Sequence, residues 1–291
     1  MKQIKNMSSI VRVALFAGLL VLVFAGANLA GAAVDPDVDR EAADAHSSDG
    51  EMDAHAPAGR PDVKGLAQAE GSLRLVVEDP RRVTRSGRLA FRIVNEGGAT
   101  VRDFDVEHDR RMHLIVVRRD LSGFQHLHPK QTADGAWEVP LELAEAGSYR
   151  LFADFSTDGS AHTLGIDLNV DGPFEARPLP PATTTVVTES GYEVRLAEAG
   201  DDVGFTVFKN GARVRDIEPY LGARGHLVAL RQGDLAFLHV HPESQAAVGA
   251  DTRFAVEYPS EGAYRLFLQF KVDGRVHTAA FTREVGDPHG D

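Results

Sequence analysis

One stretch of this sequence is written twice. Residues 101–129 align without a gap on residues 214–242, and eleven of the 29 pairs are identical. The shared positions run from a leading Val-Arg-Asp to His126-x-His128-Pro129, matched by His239-x-His241-Pro242. Residues 147–163 align in the same way on 262–278, with ten of 17 identical, including Tyr-Arg-Leu-Phe and Asp-Gly-x-x-His-Thr. A chain of 291 residues built this way must fold as two copies of one domain rather than as a single large core. The expected organisation is a leader over 1–34, an acidic spacer over 35–70, repeat 1 over 71–171, a Pro-rich linker over 172–183, repeat 2 over 184–286 and a tail over 287–291.

The leader carries Lys2, Lys5 and Arg12 and no acid, followed by an apolar run from Val13 to Gly26. Ala30-Gly31-Ala32 offers a small-residue cleavage site. Extended to Val34, the same run is also long enough to cross a bilayer. It is read either as a signal peptide or as a retained transmembrane anchor, and in both cases the remainder is exported. The spacer has almost no large apolar residues and reads as disordered. Its His46, Met52 and His55 are read as solvated.

Within each repeat the pattern is short alternating strands with turn signals and no helical periodicity. In repeat 1 the strands are expected over 73–77, 89–94, 113–118, 124–128, 137–143, 149–155 and 162–170. Seven strands in about 100 residues suggest an all-β, immunoglobulin-like (cupredoxin-like) sandwich. Glu145-Ala-Gly147-Ser-Tyr149 and Glu261-Gly262-Ala-Tyr264 read as tyrosine corners opening strand F, the phenol bonding back to the preceding turn. The cysteine usual two residues later is Leu151 in one copy and Leu266 in the other.

Cysteine is absent altogether, which excludes disulfides, thiolate metal sites, thiol catalysis and a lipobox anchor. A net charge of −12 works against a nucleic-acid partner. The chemistry-bearing residues are histidines, twelve in all. Eight occupy matched positions: His113, His126, His128 and His162 in repeat 1, and His226, His239, His241 and His277 in repeat 2. In a sheet ordered G-F-C-C′, the starts of C and G and the end of C′ fall at one edge. His126 and His128 then share a face, with His113 on the neighbouring strand about 4.8 Å away and His162 about 9.6 Å away. Three imidazoles so placed form a chelate for Cu(II), with Zn(II) second. Met112, matched by Gly225, is the one soft donor nearby. His108, matched by Leu221, is given no role.

Catalytic motifs are missing: there is no nucleophile elbow, phosphate loop, H-E-x-x-H or nucleotide fingerprint. His128 is not followed by the glutamate a bicupin oxygenase would place there. The bridging-histidine pattern and disulfide of copper–zinc superoxide dismutase are also absent. The chain is expected not to be an enzyme.

With these residues in view, Met-His-Leu-Ile-Val-Val at 112–117 followed by Phe-x-His-Leu-His-Pro at 124–129 resembles a group of bacterial exported or membrane-anchored proteins described as heavy-metal-binding. The degenerate partners lie at 225–230 and 237–242. The resemblance implies an exported, heavy-metal-binding protein; with the imidazole set above, the expected cofactor is copper, or alternatively zinc, and the expected role is envelope metal buffering or delivery. The competing reading is a non-catalytic envelope interaction module, with a protein partner and structural or pH-sensing histidines. The membrane enters only through the N-terminal segment, if that segment is retained.

Overall fold

The computed structural model describes residues 63–78, 86–200, 202–238, 240–242 and 252–286. The leader, most of the acidic spacer, His239 and the tail after 286 lie outside the described residues. Among the described residues the protein is all β, and no helix is long and apolar enough to cross a membrane.

Repeat 1 contains β1 (Ala69–Glu70), β2 (Leu73–Val77), β3 (Ser86–Val94), β4 (His113–Arg118), β5 (Gln125–Leu127), β6 (Lys130–Gln131), β7 (Trp137–Glu142), β8 (Gly147–Thr157) and β9 (Ser160–Val170). One sheet has the order β1-β2-β3-β7-β6 and the other β5-β4-β8-β9. The second is the expected C′-C-F-G arrangement. Repeat 2 contains β10 (Thr185–Val187), β11 (Tyr192–Ala199), β12 (Asp202–Lys209), β13 (Ala212–Arg213), β14 (His226–Arg231), β15 (Phe237–Leu238), β16 (Val240–Pro242), β17 (Thr252–Val256), β18 (Gly262–Val272) and β19 (Arg275–Val285). Its sheets run β10-β11-β12-β17-β16, with β13 on β12, and β15-β14-β18-β19. Two tandem immunoglobulin-like sandwiches result. Both tyrosine corners form: Tyr149 donates to the Glu145 carbonyl at 2.9 Å and Tyr264 to the Ser260 carbonyl at 2.7 Å.

Strand alternation assigns each side chain to one of three cores. In β4, Leu114 and Val116 point into the first sandwich beside Leu151, Ala153 and Phe155 of β8. In β14, Leu227 and Ala229 point into the second, beside Leu266, Leu268 and Phe270 of β18. The opposite faces of these same strands are buried too. Ile115, Val117 and Phe152 from repeat 1 pack with Val228, Leu230, Phe237 and Phe267 from repeat 2 in a core between the sandwiches. The contact is reciprocal. Phe124 stacks on Phe267 with ring centres 4.0 Å apart, and its counterpart Phe237 packs on Phe152 at 5.5 Å. The same patch of each copy meets the other, as in a two-fold dimer within one chain.

Three local differences from the sequence reading have physical causes. The gapless alignment slips by one residue in the turn after β4. There Arg118–Asp120 is equivalent to Arg231–Asp234, and Leu121 and Leu235 share a left-handed backbone, φ 64° and 63°. The end of the expected spacer is ordered, because backbone bonds tie Gly65 to Thr163 (3.1 Å) and Ala67 to Gly165 (2.8 Å). A Cβ at Gly165 would lie 2.1 Å from the Gly65 carbonyl, so the close approach requires glycine. Lys64 then accepts from the Phe237 N–H (3.0 Å), carrying this segment onto repeat 2. The linker, finally, is docked. The Arg177 N–H donates to Asp120, Phe174 lies under the Arg118 guanidinium, and Leu179 packs on the core between the sandwiches.

Candidate metal centre

The faces that meet between the sandwiches carry histidines at one end. His113 has the parity of Ile115 and Val117, so it points away from the first core and toward repeat 2. His126 lies opposite Ile115 in the β4–β5 ladder and shares that face. His128, one step past the end of β5, extends the register to a position across from His113. One ring nitrogen from each of His113, His126 and His128 lies within 4.8 Å of the other two. His226 joins from repeat 2, on the face of Val228 and Leu230, with ring centres 4.8 Å from His126 and 5.8 Å from His113.

Hydrogen bonding fixes where the lone pairs point. His113 Nε2 lies 3.2 Å from the Glu107 carbonyl, which only accepts, so this nitrogen carries the proton. His126 Nδ1 lies 2.6 Å from Gln269 Oε1 of repeat 2, also an acceptor. In neutral rings the remaining nitrogens, His113 Nδ1 and His126 Nε2, therefore both present lone pairs. They face each other at 2.9 Å. The chain of three contacts is one proton short. His128 Nε2 is buried with no hydrogen-bond partner.

A cation made by protonating these rings is disfavoured. Burial lowers the pKa of His113, against opposing effects of Asp154 and the Glu107 carbonyl. Burial, then repulsion from His226 and His113, holds His126 well below its ordinary value. His128 is lowered to about 4 by burial, with His113 and Arg110 adding to it. The site is a set of neutral imidazoles with converging lone pairs, the form that ligates metals.

The eight histidines read from the repeat separate by face and by strand. His162 has the parity of Leu164 and Leu168 and points to the opposite side of its sheet, where it packs on Phe155 at 5.5 Å and lies 3.4 Å from Glu70. Its distance along the edge is not what removes it; its face is. His277 likewise shares the side of Ala279 and Phe281, packs on Tyr192 and Phe270, and bonds Ser190 at 2.7 Å. His241 pairs with Ala255 of β17 in the other sheet of repeat 2. His239 lies outside the described residues. The expectation of one cluster per repeat thus gives way, among the described residues, to one shared cluster at the junction. Met112 is buried in the first core, on the side away from the imidazoles.

His108, given no role from sequence, stands in a tight turn at φ 48° with its ring 6.2 Å from His113 and 5.9 Å from His226. Gln269 was also missed. No alternation within one repeat points to either; both reach the cluster through turn geometry or the docking of repeat 2.

Two tandem β-sandwiches with a histidine cluster at their junction define the class. The chain belongs to the family whose model is described as "Domain of unknown function (DUF8832)", matched twice, at residues 67–172 and 184–287. No curated protein matches it. Among solved structures it is similar to a Salmonella alpha-2-macroglobulin (15% identity, 76% of this chain and 15% of that one, TM-score 0.26). It is also similar to murine CEACAM1b (7%, 74% and 98%, TM-score 0.19) and to a protein of Corynebacterium diphtheriae described as membrane anchored (9%, 75% and 60%, TM-score 0.21). Scores this low carry no argument about function.

Proposed function

We propose that this protein binds one divalent transition-metal ion through His113, His126 and His128, with Cu(II) preferred over Zn(II). Its role is metal buffering or delivery outside the cytoplasm, without turnover. The observation that carries the reading is the pair of lone pairs facing each other at 2.9 Å, beside a third buried ring nitrogen that has no partner. Two nitrogens bound at about 2.0–2.1 Å are about 2.9 Å apart at a right angle and about 3.4 Å apart in a tetrahedron. The 2.9 Å spacing is compatible with two ligands of one ion, and the Irving–Williams order favours Cu(II) for such an imidazole set. The basic and then apolar leader supports export, on the cell surface or beyond it.

The interaction-module reading draws on a different feature. His113 Nε2 and His126 Nδ1 are each tied to an acceptor, the Glu107 carbonyl and Gln269 Oε1, as structural histidines would be. Calorimetric titration of the full chain with Cu(II) and Zn(II) separates the two. The metal reading expects one tight Cu(II) site whose affinity falls ~100-fold or more in His128→Ala, and no change in His162→Ala or His277→Ala. Equal titrations of wild type and His128→Ala would leave the module.

A further inference from the structure

Repeat 2 supplies more to this corner than a wall. Gln269 of β18 holds the His126 ring at 2.6 Å, and His226 of β14 lies over that same ring, planes 29° apart and centres 4.8 Å apart. His226 is also nearly parallel to His113, at 8° and 5.8 Å. These spacings can be compared with what one ion imposes. Imidazoles bound at about 2.0–2.1 Å place their ring centres about 4.5 Å apart at a right angle and about 6.3 Å apart in trans. The three repeat 1 rings have centres 4.8–5.2 Å apart. His226 at 4.8 Å from one ring and 5.8 Å from another falls in the same range, although its nitrogens stand outside the group that lies within 4.8 Å. A turn of its side chain is therefore part of the inference. The core between the sandwiches holds the His226 backbone in place, since Val228 and Leu230 of the same strand are buried against Ile115 and Val117.

We infer that His226 is the fourth imidazole of this ion, so that the metal is held across the two repeats and binding it clamps one sandwich to the other. This rests on the three-histidine reading above and adds a ligand to it. An ion held this way couples its affinity to the docked state of the repeats, because docking presents the fourth donor and the orienting Gln269 together. Ions gained by the full chain would also raise the temperature at which the repeats come apart.

The test is Cu(II) bound at one equivalent to the full chain, examined by electron spin-echo envelope modulation, which counts the imidazoles on the ion through their remote nitrogens. Wild type is expected to show four, and His226→Gln three, with affinity reduced ~10-fold or more and a smaller copper-induced rise in unfolding temperature. His226→Gln keeps a polar side chain, and its metal-free unfolding temperature reports whether the fold is intact; His226→Asn serves if it is not. The inference is overturned, with the three-histidine site left standing, if His226→Gln keeps the wild-type imidazole count and affinity while His128→Ala loses copper. It falls together with that site if wild type binds no stoichiometric copper.

Discussion

The second histidine of the His-x-His-Pro motif is paired differently in the two copies. In repeat 1 the chain stays on β5 through Leu127 and enters the other sheet only at Lys130, so His126 and His128 both remain beside His113. In repeat 2, β15 ends at Leu238 and Val240–Pro242 already pair with β17 of the other sheet. Continuing the β14–β15 register would set His241 across from His226; the early crossover sets it across from Ala255 instead. Two identical spacings thus give different backbone pairings, which place His128 beside His113 and His241 beside Ala255. The point at which a strand leaves its sheet decides which neighbour a motif's residues pair with.

What the copies share most fully is the apolar face between them, and breaking it has the largest effect. Phe152→Ala and Phe267→Ala occupy matched positions in a reciprocal contact, so each is expected to cost ~3–5 kcal/mol by urea unfolding. A large cost for one and none for the other would show that the contact is not two-fold. Next in size is metal affinity, where the copies are expected to differ sharply. His128→Ala should lose ~100-fold in Cu(II) affinity, about 2.7 kcal/mol, whereas the matched His241→Ala should lose nothing measurable by calorimetry.

Acid sensitivity sharpens the comparison further. The unfolded chain takes up a proton at His128 near the ordinary value of 6.5, and the folded protein does so only at about 4. Between those values the unfolded state binds more protons, so metal-free stability falls as pH is lowered through this window. His113 and His126, also lowered, act in the same direction. Urea midpoints from pH 7 to 4 should decline in wild type and decline less in His128→Asn. The smallest effects should be equal in the two copies. Tyr149→Phe and Tyr264→Phe each remove one hydrogen bond to a turn carbonyl and are expected to cost ~1 kcal/mol in thermal unfolding.

Much of this was legible in the sequence. The strands over 73–77 and 113–118 match β2 and β4, the C′-C-F-G order holds, and both tyrosine corners bond as expected. Those features depend on contacts within one repeat, where alternation and turn chemistry are direct guides. His113, His126 and His128 were readable for the same reason. His162 was misplaced because nearness to a strand's end was weighed and the face it shares with Leu164 and Leu168 was not. His226 was read as a ligand of a second cluster and meets this one only when the two sandwiches dock, as Gln269 does, whereas His108 reaches it through the turn before β4. One signal did point that way: Leu-Ile-Val-Val at 114–117 is apolar at every position, and a strand apolar on both sides must be covered on both.

Three imidazoles of repeat 1 are proposed to converge on one ion. Anomalous diffraction at the copper edge, from crystals of the protein loaded with one equivalent of Cu(II), tests it most directly. A single strong peak is expected about 2.0–2.1 Å from His113 Nδ1, His126 Nε2 and His128 Nε2. A peak at His162, at His277 or elsewhere on the chain, with none at this corner, would contradict it.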